Sequence, residues 1–532
     1  MAIPAEIPPE VAARIPERSI DYPNVEPGRD ARRDATLVAD ALVVGSGAGG
    51  AVAACLLAEA GLDVLMIEEG GLHKTESFST SVLEMMRALY RDIGASMILG
   101  KPGIVFVEGR CAGGSTVING GMCWRTPDRI LERWQRDERL PDIDPRAMEP
   151  VFAEVEREMN PETQRPDTLG VHNRLFAEGA RALGWHPREN LRNMRRCAGL
   201  NNCAFGCPTG AKQSMLVTYL PRALRAGARL VTDARVDRVL FDRGRATGVR
   251  GRFLGTNARP TYRFSAHAPT VILAAGARHT PGILKRSWLR ARPIGRNLTV
   301  HPNAKVVGIF DEVVNPWWGA HQSHQIHEFL DDGILIGYAV PPPGILAGAM
   351  PGIGERSAEI MALYNHMFPV GCLIEDTSTG RVVLGPDREP QMLYSLSRRD
   401  TATTHEGVAK ICELLFAAGA KRCVLPFADL GEIRSPDDIS RIRARRPDPR
   451  GLELMTVHIM GSARMAVDPQ RGATDAFGRV FDVPGLCVAD ASLFPSPVGV
   501  NPQETIMALV TRNVRRWLET DLRRSLSSSG RG

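Results

Sequence analysis

Residues 40–71, "DALVVGSGAGGAVAACLLAEAGLDVLMIEEGG", constrain the fold more than any other segment of the chain. An apolar stretch leads directly into a glycine-rich turn, a run of small residues follows, and a second apolar stretch, "DVLMI", comes next. Short apolar runs bounded by glycine predict buried strands, and the run of small residues predicts a helix between them. The segment therefore predicts a βαβ unit of a parallel sheet.

Three glycines in the turn, Gly45, Gly47 and Gly50, match the pattern GxGxxG. Gly45 permits the tight turn, Gly47 lets the backbone approach a pyrophosphate at the helix N-terminus, and Gly50 lets helix and strand pack closely. Glu68 ends the second strand, where a carboxylate can accept hydrogen bonds from an adenosine ribose. The complete unit predicts dinucleotide binding, but it does not separate NAD from FAD.

Length and charge limit the remaining possibilities. The chain has 532 residues, which is too long for one ordinary hydrophobic core and predicts two domains. Its net charge of +6 is not gathered into a basic stripe. The densest basic run, "RIRARRPDPR" at 441–450, is typical of a solvated helix end. We therefore expect no nucleic-acid partner.

The N-terminal region lacks the features of a targeting signal. "MAIPAEIPPEVAARIPERS" is interrupted by prolines and glutamates where a signal peptide needs an apolar run, and Arg32-Arg33 only superficially resembles a twin-arginine signal. Residues 41–67 are apolar but contain five glycines, Glu59 and Asp63, so they do not predict a transmembrane segment. We expect a cytoplasmic protein, or one peripheral to a membrane, whose thiols stay reduced.

Three further segments have the composition of ligand-binding loops. Residues 109–121, "GRCAGGSTVINGG", are rich in glycine and contain Ser115 and Asn119. Residues 271–284, "VILAAGARHTPGIL", predict a buried strand and the start of a helix, and "ARVDRVLFDRGRATGVRG" before them predicts a hairpin. "GLCVADASLFPSPVGVNPQETIMALVTRNVRRW" predicts strand, loop and helix, with Asp490 at the strand end, where it can meet a ligand hydroxyl.

Together these motifs resemble the glucose–methanol–choline oxidoreductases, flavoenzymes that oxidise alcohols. The resemblance covers about residues 38 to 517 and rests on the dinucleotide motif, "GGSTVING", "VILAAGA", "HIMGSARM" and "VADASLFPSPVGVNPQET". It implies an α/β fold with a discontinuous Rossmann-like FAD-binding domain and a substrate-binding domain built from an antiparallel sheet and helices. The implied boundaries are 36–125, 216–299 and 456–532 for the FAD-binding domain, 126–215 and 300–455 for the substrate-binding domain, and 1–35 for an N-terminal extension.

The resemblance also implies which residues hold FAD. They are Gly45, Gly47 and Gly50 at the pyrophosphate, Glu68 at the adenosine ribose, the Val236 backbone at the adenine, Gly114, Ser115 and Asn119 at the flavin, and Asp490 on the ribityl–phosphate side. Some members attach the flavin covalently through a histidine near the second glycine loop. No histidine occurs between His73 and His172, so we expect noncovalent FAD.

Oxidation of an alcohol requires a group that takes the hydroxyl proton while hydride leaves the carbon. A histidine can take the proton, and a second polar group can hold the oxygen. His458 in "TVHIMGSARM" matches the family's catalytic histidine, and Asn501 in "GVNPQET" matches its partner. The resemblance implies proton abstraction by His458, an amide donated by Asn501 to the alkoxide, and hydride transfer to flavin N5. His301 fits a family pattern, and we predict only a structural role for it at a strand end.

The substrate and the electron acceptor are less constrained. The segment "CAFGCPTGAKQSMLVTYLPRAL" is similar to the long-chain alcohol oxidases, which implies a lipophilic or aromatic primary alcohol, with oxygen or another acceptor reoxidising the flavin. Two alternatives stay open. One is a lyase or photoenzyme on the same fold, and the other is the FAD subunit of a cytochrome-linked polyol or sugar dehydrogenase that carries an iron–sulfur cluster.

The cysteine loop "CAGLNNCAFGCPTGAK" discriminates between these alternatives. Cys197, Cys203 and Cys207 have a spacing similar to the iron–sulfur loop of bacterial glucose and gluconate dehydrogenase subunits, but Arg196 stands where some of these carry an extra cysteine. The residues that follow favour the alcohol oxidases, so we favour reduced, structural cysteines over a cluster.

A histidine-rich stretch, "HQSHQIH", offers a second candidate metal site. His321, His324 and His327 have spacings compatible with one helical face, but no other ligand motif accompanies them. We therefore predict no metal here, and a pocket wall or a polar surface is the favoured interpretation.

Overall fold

The computed structural model describes residues 20–289, 293–350, 352 and 354–522, without the side chains of residues 521 and 522. Residues 1–19 of the predicted extension and residues 523–532 of the predicted FAD-binding domain lie outside the described residues. The described part contains twelve α-helices. Their bounds are Ala48–Glu59, Val82–Leu89, Asp128–Glu138, Pro145–Met159, Val171–Ala182, Tyr219–Arg225, Gly276–Arg286, Pro343–Gly348, Glu355–Met361, Arg398–Ala417, Ile439–Arg443 and Gln503–Trp517.

A six-stranded parallel sheet forms the centre of the first domain. Its strands, in spatial order, are Val25–Pro27, Arg229–Thr232, Val64–Ile67, Ala41–Val44, Thr270–Leu273 and Leu486–Val488. Four of them, those starting at residues 41, 64, 270 and 486, are buried along their whole length, as expected for a parallel sheet covered on both faces. The predicted βαβ unit is confirmed, because the helix Ala48–Glu59 connects two adjacent parallel strands.

A four-stranded sheet lies beside it and contains the predicted hairpin. Its strands are Ala234–Asp242, Arg245–Leu254, Pro260–His267 and Ala35–Val38. The first two are antiparallel and are joined at Arg243 and Gly244. Both of these residues have positive φ, +46° and +82°, which is the requirement of a type I′ hairpin turn.

A ten-stranded, mainly antiparallel sheet forms the second domain. Its path runs through Ser96–Ile98, Ile104–Phe106, Leu454–Thr456, Asn303–Ile309, Met367–Ile374, Ile334–Tyr338, His324–Ile326 and Pro187–Glu189, with Arg422–Val424 and Glu432–Ile433 attached at its side. Apolar residues on one face of this sheet pack against the helices Val171–Ala182 and Arg398–Ala417. On the opposite face, Val307 and Ile309 pack in a smaller apolar cluster with the helices Pro343–Gly348 and Glu355–Met361.

Two small sheets complete the fold. One contains Arg296–Leu298, Gly380–Leu384 and Pro390–Leu393, and the other contains Pro161–Glu162 and Arg192–Asn193. The overall architecture confirms the predicted α/β class, with a Rossmann-like sheet assembled from distant segments and a separate antiparallel sheet.

The sheets and cores do not follow the predicted domain boundaries everywhere. Val25–Pro27 pairs with Arg229–Thr232, so a segment predicted as an extension belongs to the six-stranded sheet. The helices Asp128–Glu138 and Pro145–Met159 bury their apolar faces in the core of the first domain. Conversely, Ile104–Phe106 pairs with Leu454–Thr456 in the second sheet. The sequence motifs mark ligand-binding loops. The domain to which each of these segments belongs depends instead on the hydrophobic core into which its apolar face packs.

We predict that Gly50→Ala destabilises the protein. A Cβ at this position would lie 2.0 Å from the carbonyl oxygen of Gly45, so the helix would have to move away from the strand. We expect a loss of about 1–3 kcal/mol, the usual cost of overpacking. Urea unfolding monitored by circular dichroism measures it. The control is Gly344→Ala in Pro343–Gly348, where a Cβ meets nothing within 4 Å. Equal midpoints for both variants would contradict the packing argument.

Candidate functional site

The glycine turn after Ala41–Val44 leaves room for a ligand on one side only. Gly45 has φ +102°, and a Cβ there would lie 2.4 Å from the Ala274 carbonyl oxygen. Gly47 precedes the helix in a conformation open to any residue, φ −72° and ψ −163°. A Cβ on Gly47 would meet only the Cα of Gly114, at 3.9 Å. Packing therefore requires Gly45 and Gly50, whereas Gly47 borders open space at the positive end of a helix.

Glu68 is held at the end of its strand by three hydrogen bonds. Its Oε2 accepts from the backbone N–H of Ser46 at 3.0 Å and from the Ser46 hydroxyl at 2.7 Å. Its Oε1 accepts from the N–H of Gly70 at 2.8 Å. Burial raises the pKa of Glu68, and these donors oppose that shift. The predicted ribose acceptor is thus fixed in place, with Ser46, which the sequence did not single out, as its main partner.

Ser46 also connects the two glycine-rich loops. Its hydroxyl oxygen accepts from the N–H of Gly113 at 3.0 Å, next to the predicted flavin residue Gly114. In the same loop the Ser115 hydroxyl accepts from the N–H of Gly109 at 3.0 Å. One serine thus links the phosphate turn, the carboxylate of Glu68 and the second loop into a single rigid wall.

Asp490 fixes the opposite wall. Its Oδ2 accepts from the N–H of Gly276 at 2.9 Å and from the Thr280 hydroxyl at 2.5 Å, and its Oδ1 accepts from the N–H of Ser492 at 2.8 Å. Burial raises the pKa of Asp490, and the donors favour its charged form. The carboxylate therefore ties two strand ends together beside the cleft.

One cleft brings most of the predicted residues together. Its lining includes Gly45, Gly47, Glu68, Gly114, Ser115, Val236, Asp490 and His458. Gly50 lies behind the turn, and Asn119 and Asn501 lie outside this lining. Asn119 donates through its amide to Gln503 and accepts from the N–H of Gly121 at 3.1 Å. The structure therefore shows Asn119 as a residue that holds the second loop to the C-terminal helix.

His458 reaches the cleft from the second sheet, directly after the strand Leu454–Thr456. Its backbone N–H donates to the Thr456 hydroxyl at 3.0 Å, and this bond sets where the chain leaves the strand. Burial lowers the pKa of His458 to about 4, so the imidazole is neutral at physiological pH. A neutral imidazole facing the cleft can exchange protons with a ligand.

His301 contacts His458 directly, which extends the purely structural role that we predicted. The two Nδ1 atoms are 3.2 Å apart, and the N–H of Gly499 donates to His301 Nε2 at 3.1 Å. Because Nε2 accepts, neutral His301 carries its hydrogen on Nδ1 and donates it to His458. Neutral His458 then carries its own hydrogen on Nε2. Sequence reasoning missed this polarity because Gly499 is 198 residues away from His301.

The backbone of His301 is in the left-handed region, with φ +43°, and a buried carboxylate holds it there. Asp376 accepts from the N–H groups of Val300 and His301, each at 3.1 Å, and from the Tyr394 hydroxyl at 2.8 Å. Burial raises the pKa of Asp376 to about 7. A non-glycine residue at positive φ is uncommon, and here the surrounding hydrogen bonds stabilise that conformation.

Asn501 has a defined amide orientation. Gln325 donates from Nε2 to Asn501 Oδ1 at 3.2 Å. Gln325 is oriented in turn by His327, whose Nε2 lies 3.2 Å from Gln325 Oε1 and whose Nδ1 lies 3.5 Å from Arg188 Nη1. Arginine can only donate, so His327 accepts at Nδ1 and donates from Nε2. This chain of donors occupies Asn501 Oδ1 and leaves Asn501 Nδ2 to donate elsewhere.

The three histidines of "HQSHQIH" do not share a helical face. The segment His324–Ile326 is a strand, so side chains alternate with period two and the helical spacing does not apply. His321 Nδ1 bonds Asn201 Oδ1 at 2.6 Å, and His324 Nδ1 bonds the Ser323 hydroxyl at 2.7 Å. His327 forms a hydrogen bond with Gln325 instead.

The cysteine loop packs against the second glycine loop. Arg192 Nη2 lies 3.0 Å from Cys203 Sγ and donates to the Gly120 carbonyl at 2.9 Å. The ammonium of Lys212 donates to the carbonyls of Val117, Asn119 and Cys203 at 2.7, 2.9 and 2.6 Å, so it joins both loops. Across the part of the chain that the structure describes, no three histidine, cysteine or acidic residues are arranged to hold a metal ion.

Among the described helices, none combines the length and apolar character needed to cross a membrane.

Comparison with known proteins identifies the family. The model of the N-terminal domain of GMC oxidoreductases matches residues 40–303, and the model of the C-terminal domain matches residues 376–509. An uncharacterised GMC-type oxidoreductase of Mycobacterium tuberculosis is 37% identical over 508 residues, which covers 94% of this chain and 79% of that protein. Another from Sinorhizobium fredii is 33% identical and covers 93% of this chain and 97% of its own length. The resemblance inferred from the motifs is confirmed.

Characterised relatives and solved structures are more distant. A long-chain-alcohol oxidase of Arabidopsis thaliana is 28% identical over 512 residues, which covers 88% of this chain and 66% of that protein. Among solved structures, pyridoxine 4-oxidase from Mesorbium loti has a TM-score of 0.69 at 18% identity and covers 90% of this chain and 99% of its own. Formate oxidase from Aspergillus oryzae has a TM-score of 0.66 at 14% identity, with coverage of 91% and 99%. These structures support the fold alone.

We predict that the purified protein is yellow and that denaturation releases its FAD. Gly47→Leu should fold, because the backbone conformation of Gly47 is open to any residue. It should nevertheless be colourless, because the leucine side chain would fill the space where we expect the FAD pyrophosphate to bind. Absorbance spectra before and after denaturation and filtration test both statements. Gly344→Leu is the control, since a side chain there meets open space. Flavin retained by the denatured chain would contradict noncovalent binding, and a yellow Gly47→Leu variant would contradict the pyrophosphate position.

Proposed function

Because this chain belongs to the GMC oxidoreductases, an FAD-dependent family of alcohol oxidases and dehydrogenases, we propose that it oxidises a primary alcohol to the aldehyde. The observation that carries the proposal is that the loop containing Asn501 is linked to His458 through His301. Gly499 bonds His301, which contacts His458, and Asn501 follows two residues later. A proton-exchanging imidazole and an oriented amide beside a dinucleotide cleft suit the oxidation of a C–O–H group.

The residues of the cleft fit FAD. Open space at Gly47, carboxylates at Glu68 and Asp490, and the backbone at Val236 provide a phosphate turn, two hydroxyl acceptors and an adenine contact. The cleft continues to His458, where the redox ring would be needed. Bound FAD would supply the hydride acceptor at N5.

Asn501 is assigned to the substrate oxygen as a donor. Since Gln325 occupies its Oδ1, the amide can offer only Nδ2–H, and this polarity suits an oxygen that becomes more negative as its proton leaves. An asparagine cannot titrate, so it supplies the same hydrogen bond at every pH. Proton uptake is left to His458.

His458 must offer a lone pair to take the hydroxyl proton. While His301 donates to Nδ1, the hydrogen of His458 is on Nε2 and no lone pair is free. We therefore assign the basic position to Nδ1, which becomes available when the contact with His301 opens and the ring turns about its Cβ–Cγ bond. His301 would thus act as a positioning residue that holds the neutral base until substrate displaces it.

A lipophilic primary alcohol is the proposed substrate class. Long-chain-alcohol oxidases are among the relatives along 88% of this chain. The acceptor is proposed to be oxygen or another small oxidant. The cytochrome-linked alternative needs a cluster at Cys203 and its neighbours, but Arg192 and Lys212 bind that loop. Bleaching of bound flavin by decanol without oxygen is the direct test, and failure with all primary alcohols would favour the lyase or photoenzyme alternative.

We predict that His458→Ala retains FAD but slows flavin reduction about 10²–10⁴-fold, the usual contribution of a positioned base. In the wild-type protein the pKa of His458 is lowered to about 4, so the base is neutral above that pH and is lost as pH falls through it. Stopped-flow reduction from pH 3.5 to 8 should show this acid limb, and the variant should lack it. Exposed His186→Ala is the control. A wild-type rate in His458→Ala would remove the residue from the mechanism.

Asn501→Ala should slow flavin reduction while keeping the acid limb, because the amide does not titrate. Gln325→Met should have a smaller effect, roughly 3–10-fold, since it frees the Asn501 amide to rotate but leaves it present. In Asn501→Ala the additional change at Gln325 should have no further effect, which stopped-flow measurements on the double variant test. Independent, multiplicative effects would show that Gln325 does not act through Asn501.

A further inference from the structure

The pairing between two strands of the second sheet is interrupted where the two histidines of the site lie. Asn303 pairs with Met455 on one side of the interruption, and Thr299 bridges Met460 on the other. Between these pairs, three residues of one strand face four of the other, which is the arrangement of a β-bulge. A bulge leaves backbone N–H groups without a partner in the ladder, and buried N–H groups need another acceptor.

Asp376 provides the acceptors that the interrupted ladder lacks. Its Oδ2 accepts from the N–H of Val300 and its Oδ1 from the N–H of His301, each at 3.1 Å. The Tyr394 hydroxyl donates to Oδ2 at 2.8 Å, and Asp376 is only 2% exposed, so water has little access to these oxygens. Two successive N–H groups that point at one carboxylate fix the backbone of residues 299–302, which we call the His301 turn.

Thr456 connects the His301 turn to the backbone of His458. Its hydroxyl donates to the Val300 carbonyl and accepts from the N–H of His458 at 3.0 Å. A displacement of the His301 turn would therefore move Thr456 and, with it, the backbone that carries the His458 imidazole. The opening that we assign to the reaction is a rotation of the imidazole, and this rotation brings the base to a defined place only if the backbone stays fixed.

The three donors around Asp376 suit the ionised form of its carboxyl group. Two of them are backbone N–H groups, which can only donate. A protonated carboxyl can still accept from both only if its hydrogen points at Tyr394, whose hydroxyl must then reverse and accept. The bonds to the backbone would also lose the negative charge, and charge-assisted hydrogen bonds are roughly twice as strong as neutral ones. Protonation of Asp376 therefore loosens the His301 turn.

The surroundings of Asp376 place its change of charge near neutral pH. Burial raises the pKa of Asp376 to about 7, and its three donors oppose that shift. Asp400, on the helix Arg398–Ala417, is a negative group nearby and raises the pKa of Asp376 further. His301 and His458 are neutral, because burial lowers the pKa of each. Asp376 therefore titrates well above the pH at which His458 takes up a proton.

We propose that Asp376 is a positioning residue for the proposed reaction: its ionised carboxylate fixes the His301 turn and, through Thr456, the position of the base His458. Asp376 itself lies outside the lining of the cleft. Flavin reduction should therefore slow in two steps as the pH falls. The first step, through about pH 7, is the loosening of the His301 turn, and the second, through about pH 4, is the protonation of His458. This inference rests on the proposed function for the rate and on the hydrogen bonds of Asp376 for the turn.

The experiment measures stopped-flow reduction of the FAD-loaded enzyme by decanol from pH 3.5 to 9. Asp376→Asn has one acceptor oxygen, so its amide group must face one of the two N–H groups. This variant should be about 10–100-fold slower at pH 8, the usual cost of a small misplacement, and should lack the step near pH 7. Tyr394→Phe keeps the carboxylate but removes a donor that lowers its pKa, so the upper step should move to higher pH. A purely structural role would change rates without moving this step.

Hydrogen exchange followed by mass spectrometry measures the His301 turn without catalysis. Amides of residues 299–302 should exchange about 10-fold faster in Asp376→Asn than in the wild type, because a hydrogen bond to a charged group is lost. Asp144→Asn is the matched control. Asp144 also accepts from two backbone N–H groups, at the start of the helix Pro145–Met159, and lies outside the lining of the cleft.

Loss of the upper step together with faster exchange in Asp376→Asn supports the proposal. A wild-type pH profile or unchanged exchange in Asp376→Asn, or an unmoved step in Tyr394→Phe, would overturn it. If Asp376→Asn does not fold, the step in Tyr394→Phe decides alone. If no primary alcohol reduces the wild-type flavin although exchange depends on Asp376, the proposed function is wrong and the contact that fixes the His301 turn stands.

Discussion

The close approach of the helix Ala48–Glu59 to its neighbouring strands is the contact on which the site depends. At Gly50 there is no space for a Cβ beside the carbonyl of Gly45, and Gly45 itself leaves none beside Ala274. This packing brings the helix N-terminus level with the carboxyl ends of the parallel strands, where ligands bind in open α/β sheets. Glu68 and Asp490 lie at two of these strand ends. The same backbone packing therefore positions the helix N-terminus beside both carboxylates.

The second domain supplies the proposed base, His458, because its sheet ends beside this cleft. The strand Leu454–Thr456 pairs with both Asn303–Ile309 and Ile104–Phe106, and His458 lies two residues after its end. The loop at Gly499 contributes a backbone donor to His301 and then continues to Asn501. The relative position of the imidazole and the amide that we propose for the reaction thus depends on sheet register in one domain and on a loop from the other.

The sequence could predict the parts of the site that are local. The glycine turn, Glu68 and Asp490 lie within continuous strand–loop–helix segments, and their roles follow from the backbone. Gln325 could not be found in this way, because it is 176 residues from Asn501 and their contact depends on the pairing of several strands. The spacing of three between His321, His324 and His327 fits a helix, whereas His324–Ile326 is a strand. The sequence thus indicated residues whose placement follows from their own segment, and it could not indicate residues whose placement depends on how distant strands pair.

Which groups of the site can donate or accept a hydrogen bond depends on which of their atoms already have a partner. Arg188, His327 and Gln325 all donate toward Asn501, so the amide has one direction left in which to donate. Burial keeps His458 neutral. In the reaction that we propose, a neutral donor and a neutral base make no ion pair with the alcohol in the ground state. The donor contact then strengthens only as charge develops on the oxygen, and this differential binding is what lowers a reaction barrier.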